Sequence, residues 1–130
     1  MQEQINYYSD KLKYEMDSWD LYDSLQNEAK IIVIDARSKE AYEIEHIPGA
    51  INVPHRIMDE ISTQEFDTSY MYITYCDGIG CNASTKGALQ MSKLGFNTKE
   101  LLGGIDWWKR DGYETSGVNA TAGSKIVCGC

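Results

Sequence analysis

Basic residues are scarce in this 130-residue chain, where 12 lysines and arginines stand against 20 aspartates and glutamates and the net charge at pH 7 is −8. Proteins that bind nucleic acid or anionic membranes contact phosphates through clustered lysine and arginine side chains. The sequence has no such cluster. We therefore expect neither nucleic acid nor a membrane surface among its partners.

Long apolar runs are absent as well, and no stretch approaches the roughly 18 apolar residues that a membrane-spanning helix needs. The first residues, Met1-Gln2-Glu3-Gln4, lack both the basic and the apolar region of a signal peptide. The sequence thus predicts a cytoplasmic protein. In that reducing compartment the four cysteines are expected to be thiols, redox groups or metal ligands rather than structural disulfides.

The residues that are present alternate between strand and helix patterns. Ile31-Ile32-Val33-Ile34, a run that ends in Asp35, is typical of a strand buried on both faces of a parallel sheet. Further strands are predicted around Leu12, Tyr14 and Met16, and at 51–53, 70–75 and 98–102. Strands separated by helices predict an α/β fold, a doubly wound and mostly parallel central sheet flanked by helices.

Three helices are predicted between these strands. The first begins at Asp17 or Ser18 with an apolar side of Trp19, Leu21, Tyr22 and Leu25, and the second begins near Ser38. The third runs from Asn82 to Leu94, with Ala83, Leu89 and Leu94 facing inward. With 42% hydrophobic residues the chain fits one compact domain, predicted at 1–115, and residues 116–130 are predicted to be a flexible extension.

Cys76 is the leading candidate for a reactive group. It follows the predicted strand 70–75 directly and begins a loop with two glycines, Asp77-Gly78-Ile79-Gly80-Cys81-Asn82. Ligand sites in parallel sheets lie beyond the carboxyl ends of the strands. There the thiol faces backbone N–H groups and the positive end of the next helix, which favours the nucleophilic thiolate. The alternative is a buried structural cysteine at a strand end.

The chain resembles the rhodanese homology domain over residues 10–115. Four motifs in order carry the resemblance: Asp35-Ala36-Arg37-Ser38, the run from His46 to Pro54, Tyr75-Cys76, and the run from Leu102 to Trp108. The family has a doubly wound α/β domain, and many members carry sulfane sulfur as a persulfide on the loop cysteine before passing it to an acceptor. The resemblance implies that Cys76 forms the persulfide and that N–H groups of the loop hold the terminal sulfur.

The loop departs from the family pattern in its charge. Many members carry arginine or lysine after the nucleophile, and the related phosphatases have Cys-x5-Arg, whose arginine grips a phosphate. Here Asn82 stands at the position of that arginine, and Asp77 puts a negative charge beside Cys76. Phosphatase and arsenate-reducing chemistry are therefore disfavoured, and thiosulfate, a dianion, is expected to be a poor donor. A persulfide on a protein or a small thiol needs less charge compensation.

The other three cysteines are candidates for a resolving role. Cys81 follows Cys76 within one curled loop, where it could form a disulfide with an oxidised or persulfidated Cys76, or merely fill space at the helix start. Cys128 and Cys130 lie on the extension and offer two more thiols. They could ferry sulfur or bind a soft metal, but Cys-x-Cys alone lacks the four ligands of a closed zinc site. A tail without a catalytic part is the alternative.

The residues around the loop have plainer interpretations. Asp35 and Arg37 are expected to form a structural ion pair or to hydrogen-bond the loop from the neighbouring strand end. His46 and His55 are expected to be turn or loop residues rather than general bases. Trp107 and Trp108 are expected to pack at the core and its rim.

The resemblance, taken with these patterns, implies a single-domain sulfurtransferase that works through a Cys76 persulfide with no cofactor and no metal. Its partners would be a sulfur donor and an acceptor, each a small thiol or a protein. The alternative is a module of the same fold that binds a partner or senses redox state without turnover. A third class, a metal-binding protein, would depend on Cys128 and Cys130.

Overall fold

The computed structural model describes residues 1–123, in which five parallel strands form one sheet. The strand order is β1-β5-β4-β2-β3. The strands are β1 (Glu15–Met16), β2 (Ile31–Asp35), β3 (Ile51–Asn52), β4 (Met71–Tyr75) and β5 (Asn97–Leu101). This sheet confirms the predicted α/β class, and β4 is its central strand.

Residues 1–123 contain five α-helices: α1 (Gln2–Tyr14), α2 (Ser18–Gln26), α3 (Lys39–Ile44), α4 (Ala83–Lys93) and α5 (Gly104–Arg110), with a short 3-10 helix at His55–Ile57. Helix α1 precedes β1, α5 follows β5, and the others lie between strands. Two of them begin at side-chain caps, because Asp17 accepts the Asp20 N–H at 2.8 Å and Ser38 accepts the Ala41 N–H at 3.2 Å. Within the described residues no helix has the length and apolar character to cross a bilayer.

Side chains on opposite faces of the sheet build two cores, as the two-residue period of a strand requires. On one face Ile73 and Tyr75 of β4 pack with Leu21 of α2 and with Ile105 and Trp108 of α5. On the other face Tyr72 packs with a second cluster that includes Ile34, Val53, Met58 and Met91. Helices therefore cover both faces of the sheet.

The N-terminal region differs from the prediction. Leu12 and Tyr14 belong to helix α1, and only Glu15 and Met16 form a strand. The alternation of Leu12, Tyr14 and Met16 is coincidental, whereas Met1, Ile5, Tyr8 and Leu12 recur at the spacing of one helix face. Helix α1 buries no residue.

The sequence also predicted that Trp19 and Leu89 face the core from their helices. This prediction is wrong, since Trp19 is 61% exposed and Leu89 is 53% exposed.

The segment after residue 115 returns to the domain. Ser116 and His46 exchange two backbone hydrogen bonds of 2.8 and 2.9 Å, and the Asn119 N–H donates to the Ile44 carbonyl at 2.8 Å. Residues 116–119 therefore lie against the end of α3. The boundary at 115 remains a prediction, and Cys128 and Cys130 lie outside the described residues.

Candidate functional site

Cys76 follows the last residue of β4 and is buried, with 2% of its surface exposed. Its carbonyl accepts the Ile105 N–H at 3.0 Å, and the Asp77 carbonyl accepts the Asp106 N–H at 2.8 Å. Both donors belong to the first turn of α5, where N–H groups have no partner within their own helix. Helix α5 thus holds the base of the loop against the sheet.

Two glycines make this contact possible. Gly103 and Gly104 have φ angles of +77° and +57°, in the left-handed region that favours glycine. A Cβ at Gly104 would overlap the Cys76 carbonyl oxygen, and one at Gly103 would overlap Trp107. The Gly-Gly pair therefore allows α5 to begin directly on the backbone of the cysteine loop.

The loop curls back so that its two cysteines meet. The Cys81 N–H donates to the Gly78 carbonyl at 3.1 Å, which closes a turn over the loop. Cys76 and Cys81 form a disulfide, and their Cα atoms are 6.2 Å apart, within the range of native disulfides. Ile79, at the tip of the turn, is 80% exposed.

Several N–H groups of the loop remain available to a ligand. In the part of the chain that the structure describes, those of Gly78, Ile79 and Gly80 donate to no backbone carbonyl. Helix α4 begins two residues after Cys81, so its positive end is directed at the same loop. N–H groups and a helix terminus together stabilise negative charge on sulfur.

Asp35 and Arg37 form a buried ion pair that also reaches the loop. Arg37 Nη2 lies 2.8 Å from Asp35 Oδ2, while Arg37 Nη1 lies 3.1 Å from Asp77 Oδ1. Burial acts to lower the pKa of Arg37. The hydrogen bonds that its guanidinium donates to Asp35, the negative charge of Asp35 and the hydrogen bond donated to Asp77 outweigh burial and raise the pKa. Both contacts considered from the sequence, the ion pair and the bond to the loop, are present together.

A bond to the loop was expected from the sequence, but Asp77 was not identified as the partner of Arg37. The strand register could have identified this contact, because Asp35 of β2 pairs with Tyr75 of β4. Arg37 and Asp77 each lie two residues beyond the end of their strand, and the parallel register brings them to the same edge of the sheet.

Tyr75 was also missed as a supporting residue. Its hydroxyl is buried, donates to Asp35 Oδ2 at 2.6 Å and accepts the Ile47 N–H at 3.1 Å. Burial and the negative charge of Asp35 raise the pKa of Tyr75, so the hydroxyl stays protonated and continues to donate.

A cavity of about 310 Å³ lies beside Asp77 and is open to solvent. It is lined by Arg37, Ala41, Ile44, Glu45, Asp77, Ile105, Asp106 and Lys109. Both cations of this lining are paired, Arg37 with Asp35 and Asp77, and Lys109 with Glu45 at 2.8 Å. Burial acts to raise the pKa of Glu45, but hydrogen bonds from Lys109 and Thr115 outweigh it and lower the pKa. An anion entering the cavity would therefore meet neutralised cations.

The two histidines lie outside this lining. His46 Nδ1 is 2.7 Å from the Tyr42 carbonyl oxygen, and its ring stacks on Tyr42 at 3.8 Å. The pKa of His55 is lowered by burial and by the charges of Lys86 and Arg56. In the described residues no group of three or more histidine, cysteine, aspartate or glutamate side chains is arranged to hold a metal.

A parallel α/β sheet with a loop cysteine at the end of its central strand is the arrangement of rhodanese-like domains. The family model for the Rhodanese-like domain matches residues 18–111. The chain therefore belongs to the rhodanese-like domain family, which confirms the resemblance of its motifs.

Individual relatives connect the domain to sulfurtransferases. The chain is 35% identical over 100 residues to the adenylyltransferase and sulfurtransferase UBA4 of Candida albicans, a match that covers 69% of this chain and 22% of UBA4. The chain thus spans less than a quarter of this curated relative's length.

Solved structures extend the comparison. The BH2092 protein of Bacillus halodurans is 36% identical with a TM-score of 0.87, and the match covers 98% of this chain and 94% of that one. Thiosulfate sulfurtransferase of Pseudomonas aeruginosa, at 20% identity and a TM-score of 0.70, shares the fold; the match covers 88% of this chain and 22% of that one.

Proposed function

We propose that the protein is a sulfurtransferase that carries sulfane sulfur as a persulfide on Cys76 and passes it to a thiol acceptor. One observation carries this proposal: Cys76 directly follows the central strand and begins a loop whose Gly78, Ile79 and Gly80 N–H groups have no backbone acceptor within residues 1–123. Such a loop stabilises a thiolate and, after loading, the terminal sulfur of a persulfide. The sulfurtransferase named among the relatives supports the same chemistry.

The proposed reaction has two steps. In the reduced protein the Cys76 thiolate attacks the outer sulfur of a donor persulfide, forming Cys76–S–SH and releasing the donor thiolate. An acceptor thiolate then attacks the outer sulfur and restores the Cys76 thiolate. Neither step requires a cofactor, and donor and acceptor are each a small thiol or a protein, which we place in the cytoplasm.

Thiosulfate is proposed to be a weak donor. It brings two negative charges to a loop where Asp77 adds a third, and the nearest guanidinium, that of Arg37, is already shared between Asp35 and Asp77. Charge-assisted contacts to the departing sulfite are therefore limited. A persulfide donor carries less charge and avoids this cost.

A second candidate function is redox sensing or partner binding without turnover. The Cys76–Cys81 disulfide favours it, because the bond occupies the nucleophile. A sensing module would cycle between dithiol and disulfide and would transfer no sulfur.

The first test loads the reduced protein with a small-thiol persulfide and measures its intact mass. We expect the wild type to gain one sulfur atom and Cys76→Ser to gain none. A variant with Cys128→Ser and Cys130→Ser should load like the wild type, which controls for the other thiols. Unchanged loading of Cys76→Ser would refute the assignment, whereas loading without transfer to an added thiol would favour the sensing module.

A further inference from the structure

The folded loop brings Cys81 into contact with Cys76. Cys76 is fixed by the end of β4 and by the Ile105 N–H, while Cys81 is fixed by the turn in which its N–H bonds the Gly78 carbonyl. Their Cα atoms are 6.2 Å apart and their sulfurs are bonded. The structure therefore places Cys81 Sγ against Cys76 Sγ, the sulfur to which the proposed persulfide is attached.

We infer that Cys81 resolves the Cys76 persulfide and releases its outer sulfur as hydrosulfide. This rests on the proposed function, because it requires Cys76 to carry sulfur. It adds an activity, since the sulfur leaves as an inorganic product instead of passing to an organic acceptor.

The two cysteines and the outer sulfur supply every atom and electron that this step needs. The Cys81 thiolate attacks Cys76 Sγ, a bond forms between the two cysteine sulfurs, and the bond from Cys76 Sγ to the outer sulfur breaks. The outer sulfur leaves with its proton and the electron pair as HS⁻. The outer sulfur is reduced and the two cysteines are oxidised to the disulfide seen in the structure. A dithiol reductant then restores both thiols by thiol–disulfide exchange.

The surroundings of Cys81 suit a nucleophile. Cys81 precedes α4, a helix of 11 residues, and the positive end of its dipole favours the thiolate. Asp77, the acidic residue next to Cys76, has its charge shared with Arg37 at 3.1 Å. Because both sulfurs belong to one short loop, their reaction is intramolecular and has the high effective concentration that proximity provides.

The turn is open to solvent at Gly80, which is exposed. A Cβ built at Gly80 meets no atom within 4 Å, so this side of the loop is unfilled. The N–H groups of Gly78, Ile79 and Gly80, which have no backbone acceptor in residues 1–123, line the same turn. They stabilise the negative charge that develops on the departing hydrosulfide.

The test is a single-turnover experiment. The parent protein carries Cys128→Ser and Cys130→Ser, so that of the four cysteines only Cys76 and Cys81 remain. The reduced protein is loaded with a small-thiol persulfide, freed of donor, and followed by intact mass and by hydrosulfide assay. The parent should lose its added sulfur, release one equivalent of hydrosulfide and end two hydrogens lighter than the dithiol. In Cys81→Ser the loaded form should last at least about tenfold longer.

The possible outcomes separate this inference from the proposed function. No loading of Cys81→Ser, in which the resolving thiol is absent, or equal loading of Cys76→Ser, overturns the proposed function. Loading followed by equally fast sulfur loss in Cys81→Ser overturns only the resolving role. Peptide mapping of the spent parent does not depend on how well the variant folds. A Cys76–Cys81 disulfide there supports the inference, and free thiols at both positions overturn it.

Discussion

At the scale of single residues, the site is organised around the carboxylate of Asp35. A buried charge is costly unless it is paired and hydrogen-bonded. Asp35 has no exposed surface, and its oxygens accept hydrogen bonds from the backbone N–H and the guanidinium of Arg37 and from the Tyr75 hydroxyl. Because Arg37 extends to Asp77, this network connects the ends of β2 and β4 to the cysteine loop.

Tyr75→Phe tests this network. The change removes one donor from Asp35 and the acceptor of the Ile47 N–H, both buried, so we expect a loss of about 1–3 kcal/mol in the free energy of unfolding. Tyr72→Phe is the matched control, because Tyr72 lies on the opposite face of the same strand and its hydroxyl donates to the Asp67 carbonyl at 2.8 Å. The control should lose only about 0.5–1.5 kcal/mol, the usual net value of one hydrogen bond. Urea denaturation measures both, and equal losses would argue against a special role for Asp35.

Asp77→Asn tests the charge argument for donor choice. It removes the charge of a side chain that is 72% exposed and replaces the ion pair with Arg37 Nη1 by a neutral acceptor. We expect kcat/KM for thiosulfate to rise about tenfold, or about 1.4 kcal/mol of transition-state stabilisation. Asp106→Asn controls for general charge, because Asp106 lines the same cavity but pairs with Arg110. Similar gains in both variants, or none in Asp77→Asn, would contradict the local explanation.

At the scale of elements, the junction between α5 and the cysteine loop is the most constrained contact. Gly104→Ala would combine a left-handed backbone with an overlap on the Cys76 carbonyl, so we expect a loss of about 2–4 kcal/mol. Gly80→Ala is the control, since a Cβ there meets no atom within 4 Å, and it should stay within about 1 kcal/mol. Denaturant midpoints compare the two, and a tolerant Gly104 would show that α5 does not depend on this close approach.

Local patterns explain why most elements were predicted and why some were not. The β-branched run before Asp35 and the strand before Cys76 are buried on both faces, and such runs are recognisable in sequence. Helix α1 was not predicted because the alternation of Leu12, Tyr14 and Met16 indicates a strand and competes with the helical spacing of the apolar residues before it, none of which is buried. Leu89 was placed inward on the strength of hydrophobicity alone. Gly87, two residues earlier on the helix, marks the face that contacts the sheet, because its Cβ would lie 3.1 Å from that of Ala36.

At the scale of the whole molecule, α1 contributes little to the stability of the domain. It has no buried residue, and Leu12 is 81% exposed. Deleting residues 1–12 should therefore change the free energy of unfolding by less than about 1 kcal/mol. Deleting residues 1–17 should cost more, because it also removes the pairing of Met16 with Leu101 and the Asp17 cap. Equal effects of the two deletions, measured by thermal and urea unfolding, would show that α1 itself supports the fold.

The site as a whole was only partly predictable. Cys76, its loop and the Asp35–Arg37 pair could be found because each follows a strand whose pattern is visible in sequence. The contact from Arg37 to Asp77 depends on strand order and register, and the meeting of Cys76 with Cys81 depends on the direction in which a short loop turns. Local composition does not determine contacts between segments that are distant in sequence, or the direction in which a short loop turns.

The attachment of the loop to α5 also supplies two probes of its motion. The amides of Ile105 and Asp106 are hydrogen-bonded to the carbonyls of Cys76 and Asp77, so their protons can exchange with deuterated solvent only when this junction opens. Their exchange rates therefore measure how often the base of the loop separates from the helix. Recorded residue by residue for the dithiol, persulfide and disulfide forms, these two rates would distinguish sulfur chemistry confined to the side chains from chemistry that loosens the backbone beneath them.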